Sequence, residues 1–320
     1  MGRLTRDQDP VLGGGYADRS CGKLLTAEAW PGARPELAFG REAEGRISIE
    51  RRPLAVKDCG LLASLWEREY VDELWSALPL LLTASFFAGA LNAVAGGGSF
   101  LTLPTLVFLG LPPVSANATG TVALLPGYLS GTLGFREDMR MPPGISLAGL
   151  VGASLVGGAS GAGLLLLTPN ETFSILIPWL LLAATAVFAL GPRLLRLRKS
   201  EDGARPLASV LAIFAVAVYG GYFNGGLGII LLALFGLLGL PDLNAANGLK
   251  NLVSALLTAI AVAVYAWGGA VSWPEALLMM IGATAGGYLG ARAIRRVRPT
   301  YVRYGVILIG LVMAGLFFAR

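Results

Sequence analysis

From residue 74 onward the chain runs for 247 residues with only 14 basic and 7 acidic side chains. Soluble domains carry charge on about a quarter of their residues, because a surface facing water needs polar groups to cover it. Lipid sets no such demand. The first 73 residues are the opposite case: they hold 24 of the 45 formal charges. Over the whole chain 55% of residues are hydrophobic and 14% charged. The net charge of +5 does not point to nucleic acid, since 12 of the 14 later basic residues fall in three short loops between apolar runs. Loop charge of that kind orients a protein in a bilayer. The expected partners are therefore the lipid bilayer and no nucleic acid.

The apolar runs fall into two sizes. Eight are long: 74–95, 114–135, 145–167 and 173–190, then 207–223, 243–267, 273–291 and 302–319. A helix crosses the hydrocarbon core in about 20 residues. Two others, 99–111 and 227–240, are roughly 20 Å long at about 1.5 Å per residue, short of the ~30 Å core. The expected fold is an all-α integral membrane protein with eight long transmembrane helices plus two short or broken ones. Its parts are a polar, weakly ordered N-terminal tail (1–73), a first transmembrane repeat (74–192), a basic cytoplasmic linker (193–206) and a second repeat (207–320). Glycine stripes such as Gly149, Gly152, Gly157 and Gly161, or Gly282, Gly286 and Gly290, suit close helix packing in lipid and carry no chemistry.

The tail mixes Gly, Pro, Arg, Glu and Asp without a sustained period, as poorly ordered segments do. Leu61, Leu62, Leu65, Trp66 and Tyr70 recur at helical spacing and suggest a short interfacial helix before the first span. No apolar segment follows the early arginines, so no secretory signal is expected. No methionine lies between Met1 and Met139, and a native start nearer Val71 is one reading of the tail. Cys21 and Cys59 both lie in it, at a separation that fits no zinc spacing; free thiols and a disulfide both remain open.

The short runs carry an internal repeat. One begins at Gly96-Gly97-Gly98-Ser99 and ends at Gly110-Leu111-Pro112; the other follows Asn224-Gly225-Gly226-Leu227-Gly228 and ends at Gly239-Leu240-Pro241. An offset of 129 residues aligns Gly96, Gly97, Leu103, Leu109, Gly110, Leu111, Pro112 and Ala116 with their counterparts. Each turn leads into a polar helix start: Asn117, Thr119 and Thr121 in one half, Asn247, Lys250 and Asn251 in the other. Arginine and lysine crowd three loops (136–140, 193–205 and 292–303) and are absent at 168–172 and 268–272. The three basic loops share one side only if each half crosses an odd number of times, which makes the repeats inverted. That count places the long tail outside.

Glycine bends at the start of a short helix bring free N–H groups and a positive dipole end toward whatever lies there, a fit for an anion. The competing reading is a tight packing kink with no ligand. Lys250 is the one formally charged residue well inside an apolar run after position 73. Charge at membrane depth costs about 2.5–3.5 kcal/mol on insertion scales and marks pathways or counter-ion sites. Snorkelling to an interface is its alternative. The expected substrate-binding residues are Gly96, Gly97, Gly98, Ser99, Asn117, Thr119, Thr121, Asn224, Gly225, Gly226, Gly228, Asn247, Lys250 and Asn251, with Asn92 a weaker candidate. There is no histidine, and Glu137, Asp138, Glu171, Asp242 and Glu275 all read as loop residues. No P-loop, nucleophile triad, metal-ligand cluster or cofactor motif is present, so the chain reads as neither an enzyme nor a cofactor protein.

Together these residues resemble the TauE/SafE sulfite exporter family. The resemblance is carried by Gly96-Gly97-Gly98 with Pro104, by Gly110-Leu111-Pro112-Pro113 and by Ala116-Asn117-Ala118-Thr119. In the second half it rests on Phe223-Asn224-Gly225-Gly226 and on Ala246-Asn247-Gly248-Leu249-Lys250-Asn251-Leu252. It implies a multi-pass permease of the bacterial-type plasma (inner) membrane, exporting small anions such as sulfite, sulfonates or related organic anions. The expected guest is thus a small anion held between the two glycine loops. A non-transporting membrane subunit or assembly factor, and an anion channel, are the rival readings; a homo-oligomer is compatible with either.

Overall fold

In the computed structural model, residues 56–196, 206–240, 242–293 and 299–319 are described. They form ten helices and no strand. These are α1 (Val56–Ala95), α2 (Ser99–Phe108), α3 (Pro113–Gly134), α4 (Leu147–Leu167) and α5 (Asn170–Arg196), then α6 (Pro206–Tyr222), α7 (Leu227–Leu237), α8 (Leu243–Trp267), α9 (Trp273–Ala293) and α10 (Pro299–Phe318). The tail before Val56, with Cys21, and most of the basic linker lie outside the described residues. Residues 61–70, where a short interfacial helix is expected, fall within α1, which also contains Pro79.

The helix ends follow from local chemistry. Pro113, Pro206 and Pro299 open helices, where a missing N–H costs nothing and a fixed φ helps. The Ser146 hydroxyl caps α4 by accepting from the Gly149 N–H at 3.1 Å, and Asp242 caps α8 by accepting from the Asn244 N–H at 2.9 Å. Gly110 and Gly239 end the two short helices at φ +91 and +95, at equivalent places in the repeat.

Among the described residues, four segments are long and apolar enough to cross a membrane: Leu74–Ala93, Leu147–Leu167, Asn170–Val187 and Asn244–Trp267. Their outer faces are apolar. Leu164, Leu167, Ile175 and Trp179 are exposed, as are Leu308, Leu311 and Leu316 on α10. Trp267 and Trp273, both exposed, bracket the turn at 268–272. That turn has no charge, and amphipathic indoles there suit a membrane–water boundary.

Packing repeats as the sequence does. α4 lies against α6 and α8; α9 lies against α3 and α1. α2 packs on α3 and α7 on α8, while α5 touches α7 and α10 touches α2. Exchanging the two halves maps each of these contacts onto another. Two of the predicted glycines make close approaches: a Cβ on Gly157 would sit 2.7 Å from the Ala217 Cβ of α6, and one on Gly286 would strike the Phe86 carbonyl of α1. Gly152, by contrast, has nothing within 4 Å of a Cβ. A bulky residue at either tight position forces backbones apart, at about 1–3 kcal/mol or more. We therefore expect Gly157→Leu and Gly286→Leu each to lower the melting temperature in detergent, with Gly152→Leu close to wild type; equal effects at all three would refute this packing scheme.

Candidate functional site

Two of the predicted glycine segments touch. Gly96 follows α1 with φ +74, and Gly226 precedes α7 with φ +70, a left-handed conformation that glycine adopts without Cβ strain. The bends bring Gly96 against Gly228 backbone to backbone: a Cβ on Gly228 would lie 2.6 Å from the Gly96 Cα. Gly97, one residue on, is looser, the nearest atom to its Cβ being a Phe100 ring carbon at 3.5 Å. Neither α2 nor α7 has a side-chain cap at its start, in contrast to α4 and α8. Gly98 and Gly226 hold those N-cap positions, and Gly96, Gly97, Gly98, Gly225, Gly226 and Gly228 are all buried.

Lys250 joins this crossing. It sits in the second turn of α8 and is 1% exposed, which excludes snorkelling to water. Its stem packs on the bend, with Cδ 3.2 Å from a Cβ placed on Gly228. Its Nζ has no hydrogen-bond partner in the protein, and among the described residues no carboxylate forms an ion pair with it. A buried ammonium without a counter-charge is expensive.

Asn224, itself at φ +59, accepts from the Tyr128 hydroxyl at 3.2 Å through Oδ1, and its Nδ2 is left without a partner. Asn92 is buried too, and its Oδ1 is unpartnered. The buried Ser99 and Thr102 hydroxyls of α2 are likewise unpartnered. Asn117 donates to the Tyr222 carbonyl at 3.0 Å and keeps a free Oδ1. Asn251 lies against Gly131 of α3.

Other predicted residues are engaged structurally. Thr119 accepts from the Ser272 N–H at 3.0 Å, fixing the chain before α9. Thr121 donates to the Asn117 carbonyl at 2.8 Å within its own helix. Asn247 is half-buried and has a partner of its own. Glu275, expected at a loop, is in the first turn of α9 and 6% exposed, receiving a hydrogen bond from the Ser272 hydroxyl.

The buried polar set thus includes Tyr128, Thr102, Ser254 and Thr258, which sequence reasoning missed. Tyr128 gives no signal, since a tyrosine in an apolar run reads as core. Ser254 and Thr258 stand at four-residue spacing from Lys250, a pattern legible once Lys250 is taken as the reference. Because Gly96 needs both a positive φ and the space of a missing Cβ, Gly96→Ala should sharply reduce folded protein, measured by size-exclusion yield and melting temperature. Gly97→Ala should behave as wild type, and the reverse order would contradict the bend geometry.

The chain matches the family model described as "Sulfite exporter TauE/SafE" over residues 81–317. It is 30% identical over 243 residues to a probable membrane transporter protein of Haemophilus influenzae, covering 74% of this chain and 92% of that one. A probable membrane transporter protein of a Sinorhizobium species is 25% identical, with 76% and 93% covered. The probable membrane transporter YfcA of Escherichia coli K12 is 27% identical, with 77% and 93% covered. No solved structure matches the chain. The match spans α2 to α9 with nearly all of the membrane portion on either side, and it includes both glycine bends and Lys250: the chain is a membrane protein that belongs to the TauE/SafE family of transporters.

Proposed function

We propose that this protein is a carrier that exports a small anion, with sulfite, sulfonates or related organic anions as its substrate class, across a bacterial inner membrane. The observation that carries the reading is the Lys250 ammonium, fully buried, unpaired, and packed on the contact between two uncapped helix starts. Positive dipole ends and an ammonium in a dry interior favour one kind of guest. The unpartnered nitrogens of the buried set, Lys250 Nζ and Asn224 Nδ2, are both donors. Uncommitted N–H donors suit an acceptor-only ligand such as an oxyanion. No covalent chemistry is assigned to the site, and it is not an enzyme's.

The eight longer helices serve as spans and the two short ones as half-helices meeting at the centre. The contact pattern that survives exchange of the halves supports two repeats. The arginine-rich loops support their inversion. Transport then consists of one repeat rocking against the other around the Gly96–Gly228 contact. The same topology puts loops 136–140, 193–205 and 292–303 in the cytoplasm. Single-cysteine reporters at Glu137, Lys199 and Arg298 should all be labelled from that face alone; labelling of any one from the opposite face rejects the inverted arrangement.

Lys250→Met retains the stem and removes the charge. Because it also removes an unpaired buried ion, it should leave the melting temperature unchanged or raised while reducing sulfite flux into proteoliposomes at least a hundredfold. Wild-type flux in Lys250→Met would end the carrier role assigned to this lysine.

A further inference from the structure

Ser254 and Thr258 stand one and two turns beyond Lys250, so the three side chains share one face of α8. Both are completely buried, and neither hydroxyl has a hydrogen-bond partner in the protein. Ser99 and Thr102 are also unpartnered, but three other buried hydroxyls in this bundle behave differently. Thr121, Ser154 and Thr185 each donate to the carbonyl four residues earlier in their own helix, at 2.8, 2.7 and 2.7 Å. Thr105, Thr132 and Thr284 do the same. That acceptor is within reach of any helical Ser or Thr, and it is the default for a hydroxyl with nothing else to bind. Ser254 and Thr258 leave it unused, twice in succession, on the face of an unpartnered ammonium.

The position of the face matters as much as its chemistry. On one side of it Asn251 packs on Gly131 of α3, and Ala255 joins the cluster of Leu124 and Tyr128. On the other side Leu257 packs on Gly158 of α4 and Gly220 of α6, with Val253 in the same apolar cluster. The Lys250–Ser254–Thr258 line therefore runs along the seam between two packed walls. It covers about 12 Å of helix axis, given ~1.5 Å per residue, starting where Lys250 meets the glycine contact.

We propose that this seam is the guest's route through the protein, and that the Ser254 and Thr258 hydroxyls are specificity-determining residues that donate in turn to its acceptor atoms. The inference rests on the anion-carrier reading above. Donors spaced a turn apart allow an anion with several oxygens to engage the next group before leaving the last. A neutral hydroxyl holds an anion less tightly than the ammonium does, which favours passage over capture.

The test uses the full-length chain with Cys21→Ser and Cys59→Ser, reconstituted in liposomes, and radiolabelled methanesulfonate as probe. Ser254→Ala and Thr258→Val should each lower kcat/KM about tenfold or more, the worth of a hydrogen bond to a charged group. Ser254→Thr and Thr258→Ser, which keep the hydroxyl, should restore most of it. Melting temperatures of the hydroxyl-free variants should be unchanged or raised, since an unpaired polar atom is removed. Wild-type flux in both hydroxyl-free variants, while Lys250→Met is inactive, would overturn the route and leave the carrier reading standing. Failure of the unmutated protein to move either methanesulfonate or sulfite would remove both. Should a hydroxyl-free variant fold poorly, Thr258→Cys gives a second readout. An anionic, membrane-impermeant methanethiosulfonate should modify it, and methanesulfonate should slow the reaction. No modification would overturn the proposal.

Discussion

Backbone lies directly on backbone where Gly96 meets Gly228, and much of the site's arrangement depends on that contact. A methyl group on either residue would separate the two bends. Separation would withdraw the starts of α2 and α7, which no side chain caps, from one another. It would also remove the surface on which the Lys250 stem rests. Helix packing in a membrane has no hydrophobic driving force comparable to that in water, so it depends on close approach and complementary shape. One such contact therefore sets both the architecture of the centre and the electrostatic character of the site.

Apolar packing surrounds this centre. Apolar clusters built on Phe100, Phe173, Phe223 and Tyr265, and on Leu227, Leu231, Phe235 and Leu257, flank the polar residues on either side. The Tyr265 hydroxyl donates to the Gly221 carbonyl, and the Tyr219 hydroxyl to the Gly225 carbonyl at 2.6 Å. The first holds the last turn of α6, and the second tethers the loop that leads into α7. These tyrosines spend their polar ends on backbone, and so leave the donors of Lys250 and Asn224 uncommitted. The division is between groups that fix the loop and groups that stay available.

Most of the helix positions were legible because apolar runs and their punctuation obey local rules. Pro113, Asp242 and Trp273 mark starts, while Gly110 and Gly239 mark stops, and α8 has the bounds that its apolar run predicts. The meeting of Gly96 with Gly228 was legible only in outline, from the duplicated motif, since which glycine of each loop makes contact depends on how the chain turns. Thr119 and Thr121 show the limit most clearly. Their spacing beside Asn117 reads as a polar cluster, yet one hydroxyl fixes Ser272 and the other turns back on its own helix. Residue type does not say where a hydroxyl points. Ser254 and Thr258 are the converse, ordinary in sequence and distinguished only by the bond they do not make. Glu275 was hidden for a related reason, because a carboxylate beside a loop is buried or exposed according to what packs over it.

Magnitudes also constrain the strength of the site. Burying an ammonium costs several kcal/mol even after relaxation. A guest that only offsets this cost would bind weakly to the resting protein. Two helix starts each contribute about 0.3–1 kcal/mol, and up to ~2 where partly buried; hydrogen bonds to the charged guest add about 1.5–3 kcal/mol each. These terms are of the same order as the cost of the lysine. A second basic residue would shift the balance far toward binding, and the described part of the bundle interior contains none besides Lys250. A carrier must release what it binds at every turnover. One ammonium supplemented by neutral donors and partial dipole charge meets that requirement, whereas two cations facing a small anion in a dry seam would retain it.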